Sequence, residues 1–553
     1  MMTAEPDIIV HNREQLIALL TEAAEIEHGL MCCYLYAAFS LKTTEDCGLS
    51  PGQLAATRRW RAVVLEVAIE EMLHLGLVAN LMTAIGATPH FARPNFPVSP
   101  GYHPSGVIVE LARFDADTMD HFVFLERPEG TDIPDGNSFK RNRSYERATR
   151  KDVLVPSAQD FLTVGHMYKA ISAGMARLVD ELGEGGLFIG TPLAQIGPDI
   201  GGFDQLIRVT SLATAEAAIE AIVEQGEGSP GDVEDSHYAR FCAVRDELKQ
   251  MLVADPAFDP AWPAARNPVM RKPPIPDGKV HVSAPDTARL LDIGNAAYGL
   301  MLRCLMGTFG QPSATDDDRR RLYGTAINLM HAVTPIAEQL ARMPAGMDAA
   351  IPTAGLTFAL PRSIAAVSNP AIALRIIAER ASEIAAACAG LGDIRSQLAN
   401  CADDFKRIAA GLQNAVNKLP DYDAALVQPA QAVQANPVPP LAPASVTTEV
   451  AQNTVEEVVG QKITIRFDGK RCIHARFCVL QAPTVFKANT PGTWIFPDTM
   501  DADELVAVAE NCPSGAISYV RHDGRAGEMP PPVNVARVRE NGPYAIHAEI
   551  ALE

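Results

Sequence analysis

Apolar residues recur at helical spacing through most of the first four-fifths of this chain. Segments 15–41, 57–84, 157–182, 214–225 and 236–252 each carry a greasy stripe that repeats every three to four residues, which predicts amphipathic helices. Ser157-Ala158-Gln159-Asp160 reads as the N-terminal cap of the third. The long connection between the second and third is rich in Pro, Gly and charge. Within it, Val107–Leu111 and His121–Leu125 read as short strands. Residues 253–285 are proline-rich and non-helical, and segments 286–309, 316–343, 363–389 and 393–418 predict a second set of helices. Residues 420–458 mix Pro429, Pro437, Pro439, Pro440 and Pro443 with Ala, Val and Gln, a linker composition. Beyond it, Lys462–Phe467 alternates like a strand and Gly469 follows as a turn. The expected architecture is mainly α. It comprises a helical bundle over 1–252, a second helical domain over 286–418, the linker, a small α+β domain over 459–523 and a tail over 524–553.

Composition narrows the possible functions. Of 553 residues, 47% are hydrophobic and 21% charged, as in a globular protein, and the formal net charge is −20. That charge argues against nucleic acid as a partner, because phosphate recognition needs a basic surface. No apolar run has membrane-spanning length, and Met1–Val10 lacks the pattern of a signal peptide, so a cytoplasmic protein with no membrane partner is expected. Ten cysteines are too few for a disulfide scaffold in a chain this long. Cys32, Cys33, Cys47, Cys242, Cys304, Cys388 and Cys401 read as small hydrophobes, whereas Cys472, Cys478 and Cys512 stand apart.

The first chemical signal is Glu71-Met72-Leu73-His74. Glu and His three apart share a helical face, and Val67, Val78 and Met82 extend that stripe. A lone carboxylate there would cost several kcal/mol, which a bound cation removes. Glu71 is preferred over Glu70 because only Glu71 pairs with His74. On the first helix, Leu16, Leu20, Ala23, Glu27, Met31 and Tyr34 form a matching stripe, while His28 falls on another face as a surface group or a neighbour of the ligands. Two-metal carboxylate bundles use a Glu from each of two helices and Glu-x-x-His from each of the other two. The third helix offers His166, on a stripe with Leu162, Ala170 and Ala173. The fourth carries Glu216, Glu220 and Glu224, a row that is either a solvated face or the source of a ligand at Glu224. His237, on a stripe with Phe241, Val244 and Leu248, is a further candidate. His331 stands alone and reads as structural. Tyr34 is a catalytic candidate as a redox-active or ligand-supporting phenol, against the alternative of an ordinary core tyrosine.

A family resemblance rests on Glu25-Ile26-Glu27-His28 with Tyr34, on Glu70–His74, and on Ile85–Pro89. It continues through Thr163–Tyr168, the run Ile222 to Gly228, and Ser236–Phe241. With these residues, 12–250 resembles the ferritin-like domain of relatives of the iminophenylpyruvate dimer synthase of violacein biosynthesis. The resemblance implies a ferritin-like four-helix bundle and a metal-dependent oxidative enzyme of specialised metabolism. Relatives commonly carry an acidic residue where this chain has His166.

At the other end, Cys472-Ile473-His474-Ala475-Arg476-Phe477-Cys478 and Cys512-Pro513 keep three of the four cysteines of a bacterial ferredoxin signature, with Ala475 at the middle position. Residues 461–521 thus resemble single-cluster ferredoxins. Three thiolates suit a [3Fe-4S] cluster, and a [4Fe-4S] cluster would draw a fourth ligand from outside the cysteines, with His474 nearest. Zinc sites favour closer cysteine pairs. Val533–Ile550 resembles the opening strands of a CDGSH-type iron–sulfur module.

Together these features predict a non-haem di-iron oxidoreductase, an oxygenase or oxidase. The expected ligands are Glu27, Glu71, His74, His166, Glu224 and His237 around two iron ions. The substrate implied is a small amine or an amino-acid-derived molecule, with electrons arriving through the chain's own cluster from an external reductase; oligomerisation is compatible with the pattern. The alternatives are an enzyme that couples or rearranges an imine, and a metal-handling or redox-sensing protein without turnover.

Overall fold

A computed structural model describes residues 7–99, 101–104, 106–139, 147, 154–226, 235–273, 278–348, 352–360, 364, 365, 367, 369–391, 398–419, 455–469, 471, 472, 477–487, 493–512, 514–525, 535–537 and 545–547. It divides into two compact units, residues 1–428 and 429–553. Most of the expected linker, His474 and Pro513 lie outside the described residues.

The first unit is helical. Helix α1, Arg13–Ser40, begins where the Asn12 side chain accepts from the Gln15 amide. Helix α2, Pro51–Ala84, starts earlier than its apolar stripe because Ser50 and Gln53 form a reciprocal capping box around Pro51. Helix α3 spans Ala116–Leu125, α4 Val164–Leu182, α5 Leu212–Gln225 and α6 His237–Ala254. Helices α1, α2, α5 and α4 close a four-membered ring of packed neighbours, and α3 pairs with α6, which also touches α2. A second ring follows, built from α7 Pro285–Thr308, α8 Asp316–Leu340, α9 Pro370–Ala389 and α10 Ala399–Val416. One hydrophobic core runs through both rings, from Leu16 and Trp60 to Leu329 and Phe405. A short parallel pair, β1 Pro268–Val269 with β2 Val280–His281, lies between them in sequence.

Two local expectations change. Residues 121–125 are not a strand but the end of α3. Asp115 caps that helix through Thr118 N at 2.8 Å, and Thr118, Met119, Phe122 and Val123 turn to one buried face. Its aromatic and β-branched composition imitates a strand over so short a window. Residues 107–111 run without regular secondary structure. The cap expected at 157–160 is also displaced. Ser157 and Gln159 are tied to Gln15 and Ile9, so the chain stays extended there, and Thr163 caps α4 instead.

The second unit holds β3 Glu456–Val459, β4 Ile463–Phe467 and β5 Ile517–Arg521 in one antiparallel sheet with β4 central. Ile465 pairs with Val458 on one side and Tyr519 on the other. Helices α11, Phe477–Gln481, and α12, Ala502–Glu510, complete a small core around Ile463, Ile465, Phe486, Leu505 and Ile517. In the tail, β6 Val535–Arg537 pairs antiparallel with β7 Ala545–His547.

Because α3 has a single side-chain cap, Asp115→Ala is expected to destabilise the first unit by about 1 kcal/mol in urea unfolding. Asp115→Asn should retain most of that stability.

Candidate metal centre

Five side chains converge inside the first ring. Glu27, Glu71 and His74 bring one ligand atom each within 4.8 Å of one another, and Glu71, Glu126 and His237 do the same. Glu71 belongs to both sets. Its Oε2 lies 3.3 Å from His74 Nδ1, and its Oε1 lies 3.1 Å from His237 Nδ1. Glu27 Oε2 is 3.4 Å from His74 Nδ1, and Glu126 Oε2 is 3.4 Å from His237 Nδ1. The two imidazoles are nearly parallel, with centroids 5.5 Å apart. None of the five residues is more than 3% exposed.

Their placement follows from the helices. Glu27, Glu71 and His74 sit on the facing stripes of α1 and α2. Glu126 is the residue at which α3 ends, and His237 opens α6 directly after the cap Ser236. An outer layer orients each group. The Tyr168 phenol donates to Glu27, and the Tyr34 phenol donates to Glu126. His74 Nε2 donates to Gln225 Oε1 at 3.3 Å, and His237 Nε2 donates to Glu70 Oε2 at 2.8 Å. Arg240 also pairs with Glu70. With both outer nitrogens engaged as donors, both Nδ1 atoms face the carboxylates. Tyr34 stacks edge-on against Phe122 and Phe241, which wall the Glu126 side with apolar surface.

The electrostatics are those of charge confined without water. Burial, then the neighbouring charge of Glu71, pushes the Glu27 carboxyl up to about 8. Burial opposes ionisation of Glu71 as well, yet the His74 charge and the hydrogen bonds from Glu27, His237 and His74 hold it well below the ordinary range. Burial works against a charge on His74, but Glu71 and Glu27 outweigh it and raise the imidazole to about 10. His237 is raised in the same way, against burial, by Glu126, Glu70 and Glu71.

The set fits metal ions. Nδ1 of His237 and Oε2 of Glu126 are fully buried atoms that make no well-directed hydrogen bond among the described residues. Three carboxylates and two imidazoles are oxygen and nitrogen donors suited to divalent iron or manganese. Poorly directed polar contacts at such depth are costly, and a cation between His237 and Glu126 would relieve them.

Other sequence candidates lie elsewhere. His166 is partly exposed and turns to Glu129, with Nδ1 3.5 Å from Oε1, so it joins neither set. It falls in the first turn of α4, whereas the inward group of that helix is Tyr168. Glu216, Glu220 and Glu224 are all exposed, the solvated alternative for that row, and Gln225 takes the inward place at the end of α5. His28 is fully buried with Nε2 2.5 Å from the Tyr298 hydroxyl, not at the surface. His331 is exposed. Glu126 escaped the sequence reading because its segment looked like a strand. As a helix, the spacing Phe122 to Glu126 marks it as inward. Tyr168 entered the sequence reading only within the run Thr163–Tyr168, with no role of its own.

In the second unit, Cys472, Cys478 and Cys512 are each partly buried. Burial raises the Cys478 thiol, and the charges of Cys512 and Cys472 add to that rise, so the three groups sense one another. Cys512 is lowered: burial opposes, but backbone amides of Ile517, Ser514 and Ala516 and the Ser514 hydroxyl favour its thiolate. Thiolates receiving amide hydrogen bonds are what an iron–sulfur cluster requires.

Family models match the regions that hold the two sites. Residues 20–246 match the ferritin-like family, and residues 458–522 match the divergent 4Fe-4S mono-cluster family. Dichlorochromopyrrolate synthase of Lentzea aerocolonigenes is 28% identical over 412 residues, covering 68% of this chain and 39% of that protein. The 2-imino-3-(indol-3-yl)propanoate dimerase of Chromobacterium violaceum is 27% identical over 400 residues, covering 68% of this chain and 37% of that protein. The chain therefore spans less than two-fifths of the length of either relative. An uncharacterized Escherichia coli K12 protein, YjdI, is 38% identical over 63 residues, 11% of this chain and 80% of its own length. A solved ferritin-like protein from Caulobacter vibrioides is 17% identical with a TM-score of 0.39, over 60% of this chain and 96% of that one. Among the described residues no helix is long and apolar enough to cross a membrane. Residues 20–246 thus carry a ferritin-like domain and residues 458–522 a divergent 4Fe-4S mono-cluster domain.

Proposed function

We propose that this chain is a di-iron oxidoreductase, an oxygenase or oxidase of specialised metabolism. In this reading Glu27, Glu71 and His74 would hold one iron ion, and Glu71, Glu126 and His237 a second. The observation that carries it is Glu71, whose two carboxylate oxygens face two different histidines. Iron so held supplies one-electron and oxygen-activating chemistry. The protein's own part is positional: Tyr168 and Tyr34 fix the outer carboxylates, Gln225 and Glu70 fix the imidazoles, and Phe122 and Phe241 keep water from one side. Cys472, Cys478 and Cys512 would hold a [3Fe-4S] or [4Fe-4S] cluster, with His474 the nearest further candidate in sequence, and such a cluster would supply electrons one at a time. The substrate class is a small amine or amino-acid-derived molecule, supported by relatives named for a chromopyrrolate and an imino-propanoate.

A second reading, an enzyme that couples or rearranges an imine, is favoured by the similarity to the 2-imino-3-(indol-3-yl)propanoate dimerase. Oxygen consumption that depends on reductant and substrate separates the two, since coupling alone would turn over anaerobically.

Metal and sulfide analysis of anaerobically purified protein should find about five or six irons per chain, two beyond the cluster. Glu71→Ala and His74→Ala should each remove about two irons and leave acid-labile sulfide unchanged. Iron content that is indifferent to both substitutions would sink the di-iron reading.

The titration of the site gives a further expectation. In the metal-free protein, folding holds protons on Glu27, up to about 8, and on His74, up to about 10, that the unfolded chain sheds near the ordinary values of 4.5 and 6.5. The folded state then binds more protons, so stability is fullest below pH ~4.5 for Glu27 and below ~6.5 for His74. It is lost as pH rises through about 8 and about 10. Calorimetric scans of the metal-free bundle should show melting falling from pH 6 to pH 9. Added ferrous or manganous ion displaces those protons, so it should raise the melting temperature more at pH 9 than at pH 6.

A further inference from the structure

The ligand-bearing helices α1 and α2 also wall a second space. Where they meet α7 and α8, the packing leaves an apolar cavity of about 50 Å³. Met72, Leu73 and Gly76 line it from a face of α2 other than the one that carries Glu71 and His74. Met31 and Leu75 line it as well, and they follow Glu27 and Glu71 by four residues. Each of these two therefore stands on a stripe that also carries a ligand. The far wall comes from Met301, Leu302 and Leu305 of α7 and from Tyr323, Ile327 and Met330 of α8.

The cavity is graded from surface to core. Met72, Phe203, Tyr323, Ile327 and Met330 are only partly buried and form its mouth. Met31, Leu73, Leu75, Leu206 and Leu302 are buried and form its floor, on the side of the ligand-bearing helices. Its chemistry and size select the occupant. The residues that line it are apolar apart from the Tyr323 hydroxyl. A bound water needs about two to four polar partners, so water is poorly held there. A charged or strongly polar molecule would be desolvated without return. An apolar cavity of roughly 150 Å³ is what takes up a benzene ring. About 50 Å³ is too small for a ring and large enough for a diatomic molecule.

We propose that this cavity takes up dioxygen and passes it to the metal centre, entering along α8 and leaving past Met31 and Leu75. This rests on the oxygenase or oxidase reading above and deepens it by giving the gaseous reactant its own site. Dioxygen is apolar and uncharged, so it moves from water into such a space without giving up strong hydrogen bonds. Met31, Met72, Met301 and Met330 suit the passage, because unbranched thioether side chains change rotamer readily and yield to a small visitor. Entry is binding and diffusion: no bond forms or breaks, and no electron or proton moves.

The test uses the full-length protein in two forms. Metal-free protein labelled with carbon-13 at the methionine methyls is studied by NMR under xenon, an apolar probe that enters dry cavities. Saturable shifts are expected at the methyls of Met31, Met72, Met301 and Met330, assigned by single Met→Leu substitutions, and not at the remaining methionines. Ile327→Trp crowds the mouth at a partly exposed position, and Leu302→Phe fills the floor; each should abolish the shifts, and either suffices if the other does not fold. In the reduced, iron-loaded protein, freeze-quench Mössbauer spectra separate the ferrous ions of the bundle from the cluster. Both variants should keep their bundle iron and lose the ferrous signal to dissolved oxygen at least fivefold more slowly than the wild type, whereas Ile327→Ala should not slow it. Absence of xenon shifts at these methyls, or wild-type oxidation in a variant that has lost them, overturns the proposal and leaves the di-iron reading intact. A wild-type protein that takes up no bundle iron overturns both.

Discussion

The first helical ring answers to one electrostatic problem: Glu27, Glu71 and Glu126 share a buried space within it. Three carboxylates at such range repel, and each costs several kcal/mol to bury unpaired. The fold compensates them in layers. Two imidazoles stand between them, two phenols donate from outside, and Glu70 with Arg240 carries the network toward solvent. Without metal, protons hold the assembly together, one of them shared between Glu27 and Glu71. Metal ions and protons therefore compete for the same atoms.

The two halves of the centre are built differently. Glu27, Glu71 and His74 project from the middles of α1 and α2, whose caps and long apolar stripes make them rigid. Glu126 and His237 project from helix ends, one at the close of α3 and one at the start of α6. Ser236 caps α6 directly before His237, whereas Glu126 is itself the C-terminal cap of α3, its amide donating to the Phe122 carbonyl. The first set of three is thus fixed by the middles of two long helices, and the second depends also on the ends of two helices packed against them.

That division also explains what the sequence disclosed. Helical stripes are legible because their period is local, so α1, α2 and the Glu71–His74 pair could be read directly from spacing. His237 was legible for the same reason. Glu126 was not: Phe122, Val123 and Phe124 before it imitate a strand, and the cap that settles the matter, Asp115, lies a full helix away. His166 and Glu224 went the other way. Both fall on plausible stripes, but facing is decided to within one residue by tertiary packing. That packing turns Tyr168 and Gln225 inward instead. In the second unit the cysteine spacing was legible because the ligands themselves carry the pattern. The amide bonds that favour the Cys512 thiolate arise from backbone geometry, to which side-chain identity is nearly blind.

The outer contacts bear on whether such a centre stores metal or uses it. Storage depends on ions entering and leaving, which favours loosely held ligands. Here each histidine is held by its far nitrogen, and both terminal carboxylates accept from a buried tyrosine. Such support costs conformational freedom and fixes ligand direction, the condition for tuning a metal rather than exchanging it. An iron–sulfur domain in the same chain suits a centre that changes redox state, because such a cluster transfers electrons one at a time.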